Sequence, residues 1–153
     1  MEYKIEKIKR EDLKDLILIS KRVMLTDSIK FLGELANKFI TSGAIVNEAM
    51  ANADYTYKCL LNDIPVGQIA FIEDRINFIM VDPIYQRKGI GTALLEFAKK
   101  EIKKNYNEIY LDCFANNRLA NSFFVKNNFK LEDSTYDKDL KQNLNRYCFQ
   151  INK

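Results

Sequence analysis

Tyr3 and Ile5 alternate with Lys4 and Glu6, a period of two that predicts a first strand near residues 3–8. The period then changes. Leu13, Leu16, Ile17, Val23 and Met24 recur at helical spacing behind the charged start Arg10-Glu11-Asp12. A second helical region is expected from Asp27 or Ser28, with Ile29, Leu32, Leu35 and Phe39 on one face, until Ser42-Gly43 interrupts it. A third, short piece covers Ile45 to Met50. Period two returns at Tyr55, Tyr57, Cys59 and Leu61, and turn residues at Asn62–Pro65 and Glu73–Arg75 separate two further strands, Val66 to Ile72 and Ile76 to Val81. These three strands form an antiparallel meander.

Beyond Gly91 the pattern is helical again, with Ile90, Leu94, Phe97, Ala98 and Ile102 inward and Lys99, Lys100, Lys103 and Lys104 outward. A strand follows at Ile109 to Phe114, so strand, helix and strand make a crossover between parallel neighbours. Asn116 or Asn117 is placed to cap a last helix carrying Leu119, Ala120, Phe123 and Phe124, which Asn127-Asn128 ends. Two final strands are expected near Phe129–Asp133 and Leu144–Ile151. Without repeat or linker, residues 1–153 read as one α+β domain with a mixed sheet.

Composition narrows the chemistry. A net charge of +3 is too small to argue for nucleic acid, and the four lysines after Gly91 read as a solvated helix face without interleaved aromatics. A histidine count of 0 excludes histidine bases, Ser-His-Asp triads and histidine metal sites. Cys59, Cys113 and Cys148 are widely spaced, which fits buried thiols in a reducing cytoplasm rather than a metal cluster or disulfide framework. Met1 to Glu6 lacks a signal-peptide core and no apolar run has the length of a membrane span, so a soluble cytoplasmic protein is expected.

The chemistry concentrates in one run. The strand ending at Val81 leads through Asp82-Pro83 into Gln86-Arg87-Lys88-Gly89-Ile90-Gly91 and then a helix. Cationic side chains and backbone N–H groups at a helix N-terminus attract anions, phosphates above all. A dinucleotide fingerprint would need Gly or Ala at Leu94, and no Gly-Lys-Ser/Thr follows for a Walker A loop.

This run, with Ala93-Leu94-Leu95 behind it, resembles motif A of the GNAT superfamily of N-acetyltransferases. Asn117-Arg118-Leu119-Ala120, Phe123-Phe124 and Asn128-Phe129 resemble that family's second signature. The resemblance implies a GNAT-like single domain, with a mixed, mostly antiparallel central sheet of six to seven strands flanked by about four helices. It implies acetyl-CoA as cosubstrate, with the pyrophosphate held at Gln86, Arg87, Lys88, Gly89, Ile90, Gly91 and Thr92. Asn117 would contact the cofactor, and a backbone N–H within Ile79, Met80 and Val81 would meet the oxyanion beside a bulge that opens the strand. Met80 and Val81 would line the pantetheine slot. Phe124 stands on the cofactor side where the family commonly has tyrosine as the thiolate's proton donor, and a thiol with a pKa of about 8.5 tolerates that loss. Asn128 replaces the usual glycine and can still end the helix.

The implied reaction is direct attack of a primary amine, of a small molecule or peptide, on the thioester. Asp112, Glu73 and Asp74 are the candidate bases, and Tyr136 and Tyr110 the candidate acids. Cys113 has no histidine to activate it as a nucleophile. The acceptor site would be shaped by residues 10–52, whose sequence does not specify the amine. A homodimer is compatible with the chain; nucleic acid and membrane are not expected as partners. A catalytically silent acyl-CoA-binding module is the alternative that Phe124 and the missing histidines raise.

Overall fold

The computed structural model describes residues 2–151. Its centre is one seven-stranded sheet in the order β1-β2-β3-β4-β5-β7-β6. The strands are β1 Tyr3–Lys7, β2 Thr56–Leu61, β3 Ile64–Ile72, β4 Arg75–Val81, β5 Glu108–Phe114, β6 Lys130–Asp137 and β7 Gln142–Gln150. Every neighbouring pair is antiparallel except β4 and β5, which the helix α5, Ile90–Ile102, connects as parallel strands. The meander and the crossover therefore stand as the periodicity predicts.

Helices cover both faces of the β2–β4 half. On β3, Gly67 faces α5, where an added Cβ would lie 3.2 Å from both Ile90 and Leu94. The next residue, Gln68, faces the other way and donates its amide to the Leu16 carbonyl at 3.0 Å. Alternation along the strand thus sets α5 on one face and α1, Leu13–Val23, on the other. The α5 side holds the main core: Ile90, Leu94, Leu95, Ala98 and Ile102 pack on Ile69, Ile76, Ile109 and Leu111. Each such Ile or Leu side chain contributes about 1.5–3 kcal/mol on burial. Phe97 is half-buried, stacked edge-on with Tyr57 and Phe71.

The first helical region differs from the pattern. The helical path does not break before Asp27: from the end of α1 it runs through a π-helical turn, Met24–Ser28, into the short α2, Ile29–Leu32. The break comes at Gly33, at φ 57°, and α3, Glu34–Thr41, and α4, Ala44–Ala51, follow. Ser42-Gly43 separates those two, as expected.

Helix α6 covers Arg118–Lys126, with Leu119 70% exposed on its outer side. The structure corrects one surface residue. Lys99 is not on a solvated face: its ammonium caps α6 at the Asn127 carbonyl, 2.9 Å away, and lies 4.0 Å from the centre of the Phe149 ring. Asn128, at φ 71°, does end α6, with Phe129 N–H returning to the Phe124 carbonyl at 3.0 Å. No helix among the described residues is long and apolar enough to cross a membrane.

Candidate active site

The parallel pairing of β4 and β5 is confined to their N-terminal ends, at Arg75 and Tyr110. Beyond that point the strands part, and the cause is local. On β4, Ala70 pairs with Phe78 while Phe71 pairs with Ile76, so Asn77 is an extra residue, a bulge that bends the strand away from its partner. The Asn77 side chain is held at 2.7 Å by Asn52 beyond α4. The bulge lies a little before Ile79–Val81 rather than within it. Backbone N–H and C=O groups facing the gap are left to pair with something other than the sheet. The side chains of Ile79 and Val81 pack toward the α5 core, and that of Met80 turns toward α1, where its sulfur accepts from Ser20 at 3.2 Å. What β4 offers the gap is therefore mainly backbone.

The gap opens toward the loop before α5. Asp82 starts that loop, its side chain accepting from Ile84 N–H at 3.2 Å while Pro83–Tyr85 forms a 3₁₀ turn. Arg87, at φ 64°, and Gly89, at φ 81°, take left-handed conformations that turn the chain into the helix. Gly89 is the N-cap, and Ala93 N–H to the Gly89 carbonyl, 3.0 Å, is the first bond of the helical ladder. The amides ahead of it lie at the positive end of a 13-residue helix, whose partial charge attracts anions. Arg87, Lys88 and Thr92 are exposed beside it, whereas Ile90 is buried and presents only its backbone. Gly91 is closely packed: a Cβ there would lie 3.3 Å from the Phe123 ring, which would have to give by a few tenths of an ångström. The Tyr3 hydroxyl pins the loop by donating to the Lys88 carbonyl.

Gln86 behaves differently from the other loop residues. Its amide donates to Asp27 Oδ2 at 2.8 Å and to the Val81 carbonyl at 3.3 Å. Both donors are used, and the remaining carbonyl oxygen cannot bind an anion. Asn117 caps α6 by accepting from Ala120 N–H at 3.2 Å. Phe124 is only 5% exposed, packed among Phe123, Phe129 and Tyr147, so its ring belongs to the core.

The candidate acids and bases are dispersed. Asp112 sits where β4 and β5 part, paired with Arg75 and, at 3.1 Å, with Arg146 on β7. Burial alone would raise its carboxyl, but the hydrogen bonds from Arg146 and Arg75 outweigh it and hold the group below its ordinary value. Glu73 and Asp74 form the β3–β4 turn, on the order of 25 Å along β4 from Val81. Tyr136 lies on the edge strand β6, separated from β4 by β7 and β5. The Tyr110 hydroxyl donates to Glu108 on its own strand, which drives its pKa well above the usual range. Burial pushes the Cys113 thiol up to about 12.

Two groups have partners that the sequence did not point to. Asp82 is nearly buried and paired with Arg22 at 2.6 Å, though an Asp before Pro is itself a turn-capping signature. Asn121 accepts from Tyr147 at 2.5 Å and Asn145 at 2.9 Å, and donates to the Asn117 carbonyl at 2.6 Å. It ties β7 to the start of α6.

A mixed seven-stranded sheet parted between its parallel strands, above a glycine loop that opens a helix, is the architecture of the GNAT acetyltransferases. The chain belongs to that family: residues 52–131, just over half of it, match the family description "Acetyltransferase (GNAT) domain". Among particular relatives, an N-alpha-acetyltransferase of Saccharolobus solfataricus is 48% identical over 48 residues, 30% of this chain and 29% of that protein. The uncharacterized protein YxbD of Bacillus subtilis is 37% identical over 70 residues, 44% of each chain. The similarity thus spans less than half the length of either relative. Among solved structures, a GCN5-related N-acetyltransferase from Rhodopseudomonas palustris superposes with a TM-score of 0.86 at 16% identity, covering 99% of this chain and 97% of that one. PaiA N-acetyltransferase from Thermoplasma acidophilum, in complex with coenzyme A, gives 0.72 at 25% identity over 95% of this chain and 98% of its own.

Proposed function

We propose that this protein transfers the acetyl group of acetyl-CoA to a primary amine by direct attack within a ternary complex. The parted β4–β5 pair carries the reading, because it offers unpaired backbone groups for an extended, amide-bearing ligand that ends at an anion cradle. The pantetheine arm lies in the gap. The pyrophosphate meets the amides from Arg87 to Thr92, with the Arg87 and Lys88 side chains beside it. Gln86 holds the loop in place from behind, and Asn117 borders the cofactor from the α6 side. The coenzyme A complex of the Thermoplasma relative supports the choice of cosubstrate.

The amine nitrogen attacks the thioester carbon, a C–N bond forms, and the C–S bond breaks with the thiolate taking its electron pair. A backbone N–H from Ile79 to Val81 stabilises the oxyanion. The ammonium proton leaves through water in the cleft, since Asp112 is committed to its two guanidinium partners. The thiolate needs little protonation help, which accommodates Phe124. With its pKa at about 12, Cys113 stays a thiol at neutral pH, and this favours direct transfer over an acyl-cysteine intermediate. The acceptor is a small-molecule or peptide amine, seated on the side of residues 10–52. The three free cysteines suit a reducing cytoplasm.

Titration calorimetry with acetyl-CoA, followed by thiol-release assays on peptide N-termini, polyamines and aminoglycosides, tests the reading. Binding in the micromolar range with turnover on one amine class is expected. Absence of binding at high micromolar acetyl-CoA overturns it, and binding without turnover on any amine makes the protein a silent acyl-CoA-binding module.

A further inference from the structure

One rod spans both walls of the cleft. From α1 and the π turn after it, the rod contacts the β4 side twice: Arg22 donates to Asp82 at 2.6 Å, and Asp27 accepts from Gln86 at 2.8 Å. These bonds hold the two ends of the turn that leads into the anion cradle. From α2 the rod contacts the β5 side: Phe31 packs on Phe114 with ring centres 6.3 Å apart, and its carbonyl accepts from Asn116 at 3.0 Å. Asp27 lies in the π-helical turn that joins α1 to α2. A π turn inside a helix widens the backbone by one residue per turn, and such turns gather at functional sites.

We propose that Asp27 is a positioning residue that couples occupancy of the cofactor loop to the order of the rod and thereby to the acceptor side of the cleft. The proposal rests on the cofactor reading above. Gln86 is the transmitting side chain, because its two N–H groups join Asp27 to the last carbonyl of β4. A ligand that settles the Arg87–Thr92 amides fixes Gln86, Gln86 fixes Asp27, and the π turn can no longer slip against α2. By linkage, an amine seated under the rod tightens the cofactor by the same factor.

Hydrogen–deuterium exchange of the whole chain, with and without coenzyme A, tests this. In the wild type, added coenzyme A should slow exchange at residues 24–32 as well as at the loop. In Asp27→Ala, coenzyme A should still bind, several-fold more weakly, and protect the loop but not residues 24–32. In Asp27→Asn, whose amide oxygen can still accept from Gln86, protection of the rod should return. Melting temperatures of the three proteins check that each is folded. If coenzyme A binds the wild type and exchange at 24–32 is unchanged, or if Asp27→Ala protects the rod as fully as the wild type, the proposal fails while the cofactor reading stands. Absence of coenzyme A binding by the wild type rejects both. The wild-type arm decides the matter even if Asp27→Ala does not fold.

Discussion

Arg22 Nη2 donates to Asp82 Oδ2 at 2.6 Å, and the carboxylate so bound is only 4% exposed. Removing one member of a buried pair leaves the other desolvated without compensation. Arg22 itself is 42% exposed, so solvent takes up part of that loss. We expect Arg22→Met to destabilise the fold by about 1–3 kcal/mol. Arg22→Met with Asp82→Ser should cost less than the two single changes added together. Urea unfolding of the four proteins measures the coupling, and strict additivity would show that the pair stabilises nothing.

The two loop glycines should fail for different reasons. At Gly89 nothing lies within 4 Å of an added Cβ, but φ is +81°. Gly89→Ala therefore costs backbone strain of about 1–2 kcal/mol, with Gly89→Asn milder because asparagine tolerates that conformation. At Gly91 φ is ordinary for a helix and the obstacle is the Phe123 ring, 3.3 Å from an added Cβ. Gly91→Ala is tolerated if the ring shifts by a few tenths of an ångström, while Gly91→Val overpacks the α5–α6 joint by about 1–3 kcal/mol. Thermal melts should rank Asn above Ala at position 89 and Ala above Val at 91. Coenzyme A titration should show all four weakened.

Asn121 is expected to matter more than its exposure suggests. Its carbonyl oxygen accepts from Tyr147 and Asn145, and its amide donates to the carbonyls of Phe114 and Asn117. Asn121→Leu strands two donors, the Tyr147 hydroxyl and the Asn145 amide, while the Phe114 and Asn117 carbonyls keep backbone N–H partners, and should cost about 2–4 kcal/mol. Tyr147→Phe removes one donor and leaves Asn145 in place, so about 1 kcal/mol is expected. Chemical denaturation separates the two. Equal losses would mean that Tyr147, not Asn121, organises the joint.

The sequence carried the architecture because strands and helices bury their apolar faces at fixed periods. Ile69, Ile76, Leu94, Ala98, Ile109 and Leu111 announced themselves that way, and the Gly89–Gly91 pair marked the start of α5. What stayed hidden depends on contacts between residues far apart in the chain. Gln86 read as an anion donor until Asp27, 59 positions away, was found on its amide. Lys99 read as solvated until the Phe149 ring and the Asn127 carbonyl were found around it. The π turn at Met24–Ser28 is only five residues long, too short a stretch for apolar spacing to distinguish it from an α-helix. The dispersal of Glu73 and Tyr136 follows from strand order, which no single segment encodes.

Asp112 gives a test in which stability and catalysis part company. Its folded-state carboxyl is held below the ordinary value of 3.8 because Arg146 and Arg75 donate to it, against the raising effect of burial. A group whose pKa is depressed by folding stabilises the protein above its unfolded value, and that stabilisation is lost as pH falls through the folded one. Wild type should therefore be more stable than Asp112→Asn at pH 7, and the gap should close only below pH 3.8. Melts across pH 2–7 measure it, with about 0.1 M salt held constant because Arg75 and Arg146 are partly exposed. The same depression removes Asp112 from the neutral-pH chemistry, since a base titrating below pH 3.8 gives no limb between pH 6 and 9. Asp112→Asn should lower kcat/KM through misplacement of β4 against β5 while leaving the shape of its pH profile in that range unchanged. A limb near neutrality that disappears in the variant would instead make Asp112 the general base.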